Sequence, residues 1–133
     1  MEIEPLVYEY VVSEVKYPHD TSIIEEGSRG SWVYVVLKGQ VKVKKKTPTG
    51  IVTVDTLGEG EIFGEMVFFE GTEGVRSASV VAEGEVKLGI LDTDRLTKDY
   101  QAMSSRLRAL FRSLMLQLKD RTSRVCSAVA GSC

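Results

Sequence analysis

Apolar and polar positions alternate along the first two-thirds of the chain and recur at spacings of three and four along the last third, which predicts two kinds of element. Val15 and Tyr17 alternate with polar residues before a turn at Pro18 to Thr21, and Val41 and Val43 alternate with lysines before a second turn at Thr47 to Gly50. Val52 and Val54 repeat the alternation beyond that turn. Trp32 to Leu37, the longest unbroken apolar run, reads as a buried strand. Strands of this length at short intervals, with glycine at the corners, predict a jelly roll or a small barrel, because closure spares many short strands from leaving edges exposed.

The pattern changes after Gly89: from Ile90 to Ala130 there is neither glycine nor proline. Asp92, Thr93 and Asp94 can cap a short helix through Tyr100, and Ser104 or Ser105 can cap a longer one running to about Val125. Tyr100, Met103, Leu107, Leu110 and Leu114 form an apolar seam suited to pairing with a second copy of the chain. Phe111, Met115 and Leu118 widen the stripe enough to pack on the chain's own sheet as well. The expected organisation is a sheet domain over residues 1–92, helices that pack on it and dimerise over 93–125, and a frayed tail of small and polar residues over 126–133.

A length of 133 residues leaves room for one domain, and 43% hydrophobic with 27% charged residues is the composition of a folded globular chain. No apolar run approaches the roughly 20 residues of a membrane span, and the acidic opening MEIEP is unlike a secretory signal, so a cytoplasmic protein without membrane contact is expected. Charge divides where the pattern does. Residues 1–92 carry 9 basic and 16 acidic groups, whereas residues 93–133 carry 8 and 3. The basic helix lacks interleaved aromatics and reads as a solvated face, so binding of DNA by this chain is not expected. Cys126 and Cys133 fall well short of the about four ligands of a metal or iron–sulfur site, and His19, the one histidine, stands in a Pro-His-Asp turn and reads as a surface turn residue. No metal or cofactor is expected.

The chemically informative stretch is FGEMVFFEGTEGVRSAS, from Phe63 to Ser79. Gly64 lets a backbone approach a ligand closely, Glu65 places a carboxylate beside it, and the apolar residues from Met66 and Val67 onward can form one helical turn with outward amides. Arg76 is the only basic residue between Lys46 and Lys87, and the small residues Ser77, Ala78 and Ser79 follow it. A guanidinium presents forked donors suited to two oxygens of one phosphate, and the Ser77 hydroxyl and nearby amides can satisfy further lone pairs. A carboxylate would repel that phosphate, so Glu65 needs a donor on the same ligand, such as a sugar hydroxyl. Together these residues describe a nucleotide. The competing reading is a salt bridge from Arg76 to Glu65, Glu70 or Glu73, with glycines that only turn the chain.

The segment resembles the phosphate-binding cassette of cyclic nucleotide-binding domains, where Phe-Gly-Glu precedes a short helix and then Arg, a small hydroxyl or alanine residue, Ala, and Ser or Thr. Upstream, IIEEGSRGSWVYVVLKGQVKV resembles the strand-turn-strand signature of the same family through Gly27, Tyr34 and Gly39, and the likeness extends over about residues 15 to 92. The helical tail resembles the dimerisation helix of catabolite-activator-type regulators. The resemblance implies a mainly β fold with C-terminal helices: a double-stranded β-helix, or jelly-roll-like β-roll, followed by a short helix and a long one. It also implies binding of cyclic AMP, or less favourably cyclic GMP, without chemical conversion. Residue by residue it implies Glu65 on the ribose 2′-hydroxyl, Gly64 beside the sugar and Arg76 on the cyclic phosphate. Ser77 and Ala78 would add donors, as would the amides of Met66 and Val67. Val43 and Val54 would line the base pocket, and Arg121, Thr122 and Ser123 match the polar residues that close over the base, with Thr122 the nearest.

Three positions depart from the family pattern: Met66 for leucine, Val67 for alanine or glycine, and Val75 for the proline that often precedes the arginine. A branched side chain at Val67 narrows the phosphate pocket while leaving its amide available. Rival readings are the ligand-binding part of a catabolite-activator-type transcription factor and a ligand-free roll that serves only protein interaction or dimerisation. A metal-dependent cupin fails on its histidine count.

Overall fold

A computed structural model describes residues 5–65 and 75–130, and in the final helix it describes side chains through Asp120 except that of Lys119. Among these residues a short 3-10 helix (Pro5–Tyr10) leads into six antiparallel strands, β1 (Val11–Tyr17), β2 (Ser22–Ile24), β3 (Tyr34–Thr47), β4 (Gly50–Leu57), β5 (Ile62–Phe63) and β6 (Ser79–Leu91). Two helices follow, α1 (Thr93–Ala102) and α2 (Ser105–Ala130). The chain is thus mainly β with C-terminal helices, as the alternating pattern predicts.

The long strands β3 and β6 organise the sheet. They pair with each other, and between them they carry every other strand, in the order β1-β6-β3-β4 with β2 on β6 and β5 on β3. In register, Val36 faces Leu88, Val41 faces Ala82 and Val43 faces Val80. These residues, with Ile24, Tyr34 and Phe63, fill the interior. Fully burying each such side chain contributes about 1.5–3 kcal/mol, so this cluster is the main source of cohesion.

The run from Trp32 to Leu37 is where pattern and structure part. Trp32 is 53% exposed and precedes the strand, which begins at Tyr34 and continues through Val41 and Val43 to Thr47 as one element rather than two. Adjacent residues Val35 and Val36 are both completely buried, because the sheet is covered on both faces at this end. Val36 lies in the interior, and Val35 joins Val33 and Leu91 in a second cluster, packed against Val11 of β1, Ile62 of β5, Tyr10 of the 3-10 helix and Leu96 of α1. Two-sided cover turns alternation into a continuous apolar run.

The helix starts follow capping chemistry. The Asp92 carboxylate accepts from the Arg95 amide at 3.1 Å, and the Ser104 hydroxyl accepts from the Leu107 amide at 3.1 Å, so orphan donors of both first turns are satisfied. Helix α2 continues to Ala130, past the expected end near Val125, because no glycine or proline interrupts it before Gly131. His19 is exposed at the β1–β2 turn, where its Nδ1 accepts from the Gly84 amide at 2.8 Å.

Candidate functional site

The site grows from the point where β5 ends. Phe63 is buried and stacks on Tyr34 with ring centroids 5.0 Å apart and planes at 16°, which fixes the chain just before Gly64. Gly64 turns with φ +85°, and a side chain there would place its Cβ 2.7 Å from the Trp32 carbonyl oxygen and 3.0 Å from Arg76 Nη1. Glycine is required twice over, by the left-handed backbone and by the close approach. Glu65 follows directly, half-buried.

Arg76 reaches the same point from the other side of the unit. Its amide donates to the Ser28 carbonyl and its carbonyl accepts from the Gly27 amide, both at 2.8 Å, and Val75 bridges to Arg29. The loop before β3 therefore holds the arginine backbone in place. The side chain is 6% exposed and is the buried charged residue among those described. Nη1 donates to the Gly64 carbonyl at 3.1 Å and Nη2 to the Trp32 carbonyl at 2.8 Å. Gly30 leaves room for the guanidinium, since a Cβ there would stand 3.1 Å from Nη2 and 3.2 Å from Nε.

Electrostatically the site is incomplete. Among the described residues, two of the guanidinium's five N–H donors find partners, both carbonyl oxygens, and no salt bridge to a described carboxylate neutralises its charge. The salt-bridge reading of Arg76 therefore does not describe its contact with Glu65, while Glu70 and Glu73 lie outside the described residues. Burial lowers the arginine's pKa, and the Tyr34 phenol and Glu65 act the other way. Burial likewise pushes the Glu65 carboxyl above the ordinary carboxylate range, and its own backbone amide and Arg76 oppose the shift. A buried cation whose other donors have no partner among the described residues and a carboxyl raised by desolvation sit together, and both gain from a ligand that carries an anion and a hydroxyl.

Of the other residues named from sequence, Ser77 is exposed and Ala78 half-buried immediately after Arg76. Val43 packs against the interior cluster, directly across from Val80. Val54 is half-buried on β4 where the register with β3 shifts. Met66 and Val67 lie outside the described residues, as does the side chain of Thr122, which belongs to α2. Sequence reasoning missed Gly30 and the Trp32 carbonyl as part of the arginine's cradle. A main-chain acceptor has no residue signature, but Gly30, a second glycine three residues after Gly27, was a signal available to find the close approach.

The family profile described as cyclic nucleotide-binding domain matches residues 14–102, a span that includes all six strands but the start of β1, and the whole of α1. The chain belongs to the cyclic nucleotide-binding domain family. This cyclic nucleotide-binding domain is 35% identical over 106 residues to the cyclic AMP receptor protein of Thermus thermophilus, covering 79% of this chain and 46% of that one. It is 36% identical over 80 residues to a cAMP-dependent protein kinase regulatory subunit of Aspergillus fumigatus, covering 60% of this chain and 18% of the relative. A solved cyclic nucleotide-binding domain from Methylobacillus flagellatus superposes with a TM-score of 0.66 at 31% identity, covering 91% of this chain and 67% of that one. The domain thus spans less than half the length of the two curated relatives, and its architecture is the β-roll of the family.

Proposed function

We propose that this domain is a non-catalytic sensory module that binds cyclic AMP, with cyclic GMP as the less favoured ligand, and passes the binding energy to its C-terminal helices. The observation that carries this reading is the Arg76 guanidinium, buried beside Gly64 and Glu65 and held by two carbonyls, with its other donors unpartnered among the described residues. A cyclic phosphate takes those donors together with the Ser77 hydroxyl and the Ala78 amide. The ribose lies against Gly64 and donates its 2′-hydroxyl to Glu65, which makes ionisation of that buried carboxyl favourable. Met66 and Val67 contribute amides to the phosphate, Val43 and Val54 line the base, and Thr122 of α2 closes over it. The named relatives support the ligand class: one is a cyclic AMP receptor and another the regulatory subunit of a cyclic-AMP-dependent kinase.

Coupling follows from connectivity. Strand β6 starts three residues after Arg76 and ends at Leu91, and the next residue, Asp92, caps α1. A ligand that favours one packing of this segment shifts the helices by its difference in affinity for the two packings, typically about 1–3 kcal/mol. The half-exposed leucines of α2 support a homodimer as the receiving assembly, with no membrane or DNA contact assigned to this domain.

Calorimetric titration with cyclic AMP and cyclic GMP tests the assignment. Native protein binds with a measurable heat, and Arg76→Ala loses the about 1.5–3 kcal/mol of a charged hydrogen bond, roughly a ten- to hundredfold weaker affinity. Arg76→Lys, which keeps the charge, loses less. Trp32, the single tryptophan, offers a second readout, because its carbonyl binds the same guanidinium and its fluorescence should change on titration. Equal affinity of native and Arg76→Ala proteins would overturn the assignment.

A further inference from the structure

A groove of about 530 Å³ opens between β2, β3, β4 and β6, and none of its lining residues is among those named for the nucleotide site. Register explains its chemistry. Val43 and Val80 face each other inward, so their neighbours Lys44 and Ser79, also paired, face outward, and Lys44 is in turn paired with Thr53. The result is a row of hydroxyl, ammonium and hydroxyl across three strands, all in the groove lining. Lys45 and Lys46 line the same groove, and among the described residues none of the three lysines has a salt-bridge partner.

Glu25 and Glu26 also line the groove and offset part of this charge, so the three lysines exceed the acids by one; Glu26 accepts the Lys46 amide on Oε1 at 2.9 Å rather than pairing with an ammonium group. The Glu26 amide in turn donates to Ser79 Oγ at 2.9 Å, which occupies that oxygen as an acceptor and leaves its hydrogen to donate outward. Glu25 lines the groove without a salt bridge and remains an acceptor. Point-charge ammonium groups and outward hydroxyl donors are suited to a phosphate, and a free carboxylate is suited to a ligand hydroxyl. The volume is that of a small-molecule site rather than of a single ion.

We propose that this outer groove is a second ligand site, for a hydroxyl-bearing phosphate monoester of sugar-phosphate size, with its phosphate on Lys44, Lys46, Thr53 and Ser79 and a hydroxyl on Glu25. The site stands whether or not the interior binds a cyclic nucleotide.

Amide spectra of the ¹⁵N-labelled domain, titrated at constant ionic strength with glucose 6-phosphate and separately with inorganic phosphate, provide the test. Saturable shifts are expected at Lys44 to Lys46, Thr53 and Ser79, with glucose 6-phosphate at least tenfold tighter than phosphate. Lys44→Gln with Lys46→Gln should weaken both at least tenfold while keeping a dispersed spectrum, and Arg76→Lys should leave both unchanged. Shifts that never saturate, equal affinity for the two probes, or undiminished binding in the double variant would each overturn the proposal.

Discussion

Arg76 and Glu65 are held in opposite electrostatic debt, and that opposition gives each a separate signature. Below pH 4.5, the ordinary value of a glutamate, the Glu65 carboxyl is protonated in folded and unfolded chains alike and ionisation costs nothing. As pH rises towards the higher folded value, the unfolded chain releases its proton first, so the unliganded fold loses stability. Glu65→Gln removes that loss. Thermal melts across pH should show the variant more stable than native at pH 7, with the gap closing below pH 4.5, while its affinity for cyclic AMP falls by about 1.5–3 kcal/mol for want of the charged acceptor. A gap independent of pH would remove desolvation of Glu65 from the account. Gly64→Ala acts differently: the left-handed backbone costs about 1–2 kcal/mol, and the Cβ also meets the Trp32 carbonyl that holds Arg76. Its melting midpoint should fall at every pH, and its affinity should fall with it.

At the scale of elements, the parts readable from sequence were those whose cause is local. The alternation at Val41, Val43, Val52 and Val54, the Asp92 and Ser104 caps, and the long glycine-free helix all depend on neighbours within a few residues. The exposed position of Trp32 and the merging of two expected strands into β3 depend on β6 and the helical layer, far away in sequence. The site divides in the same way. Gly64 and Arg76 announce themselves by type and spacing, whereas Gly30 and the Trp32 carbonyl matter only because the fold brings them against the guanidinium. A further long-range contact ties the two ends of the roll together. The Tyr10 hydroxyl donates to Asp99 of α1, Arg95 of α1 lies 5.3 Å from the Tyr10 ring centre, and the Asp92 amide donates to the Tyr10 carbonyl at 2.7 Å. The Asp99 hydrogen bond raises the phenol's pKa, so the clasp stays protonated at neutral pH. Tyr10→Phe keeps the ring and loses the hydroxyl, at a cost of about 0.5–1.5 kcal/mol. Hydrogen exchange should then quicken in α1 and leave β3 and β6 unchanged; equal quickening throughout would mean that the clasp serves global stability and not the placement of α1.

For the whole molecule, the question is what covers α2. Leu107, Leu110 and Leu114 recur along one side of the helix and remain 49%, 56% and 50% exposed, whereas Val35, Val36, Val41 and Leu88 at the centre of the sheet are fully buried. The homodimer proposed above would cover this stripe, on a helix of 26 residues, with a second copy at the spacing of a helix pair. Burying the remaining half of each leucine contributes about 1 kcal/mol, and both copies contribute, which offsets a large part of the cost of association. If the helices report ligand state, dimerisation and binding must be linked, and the linkage is reciprocal: a ligand that tightens the dimer is itself bound more tightly by the dimer. Leu110→Glu with Leu114→Glu places like charges in the seam of both copies. Sedimentation equilibrium should show native protein dimeric at micromolar concentration and the double variant monomeric, with the roll melting unchanged because neither Leu110 nor Leu114 belongs to its core clusters. Cyclic AMP affinity should then cease to depend on protein concentration. A native protein that sediments as a monomer with and without cyclic AMP would leave α2 without a second copy, and the output of the domain would have to lie in the packing of α1 alone.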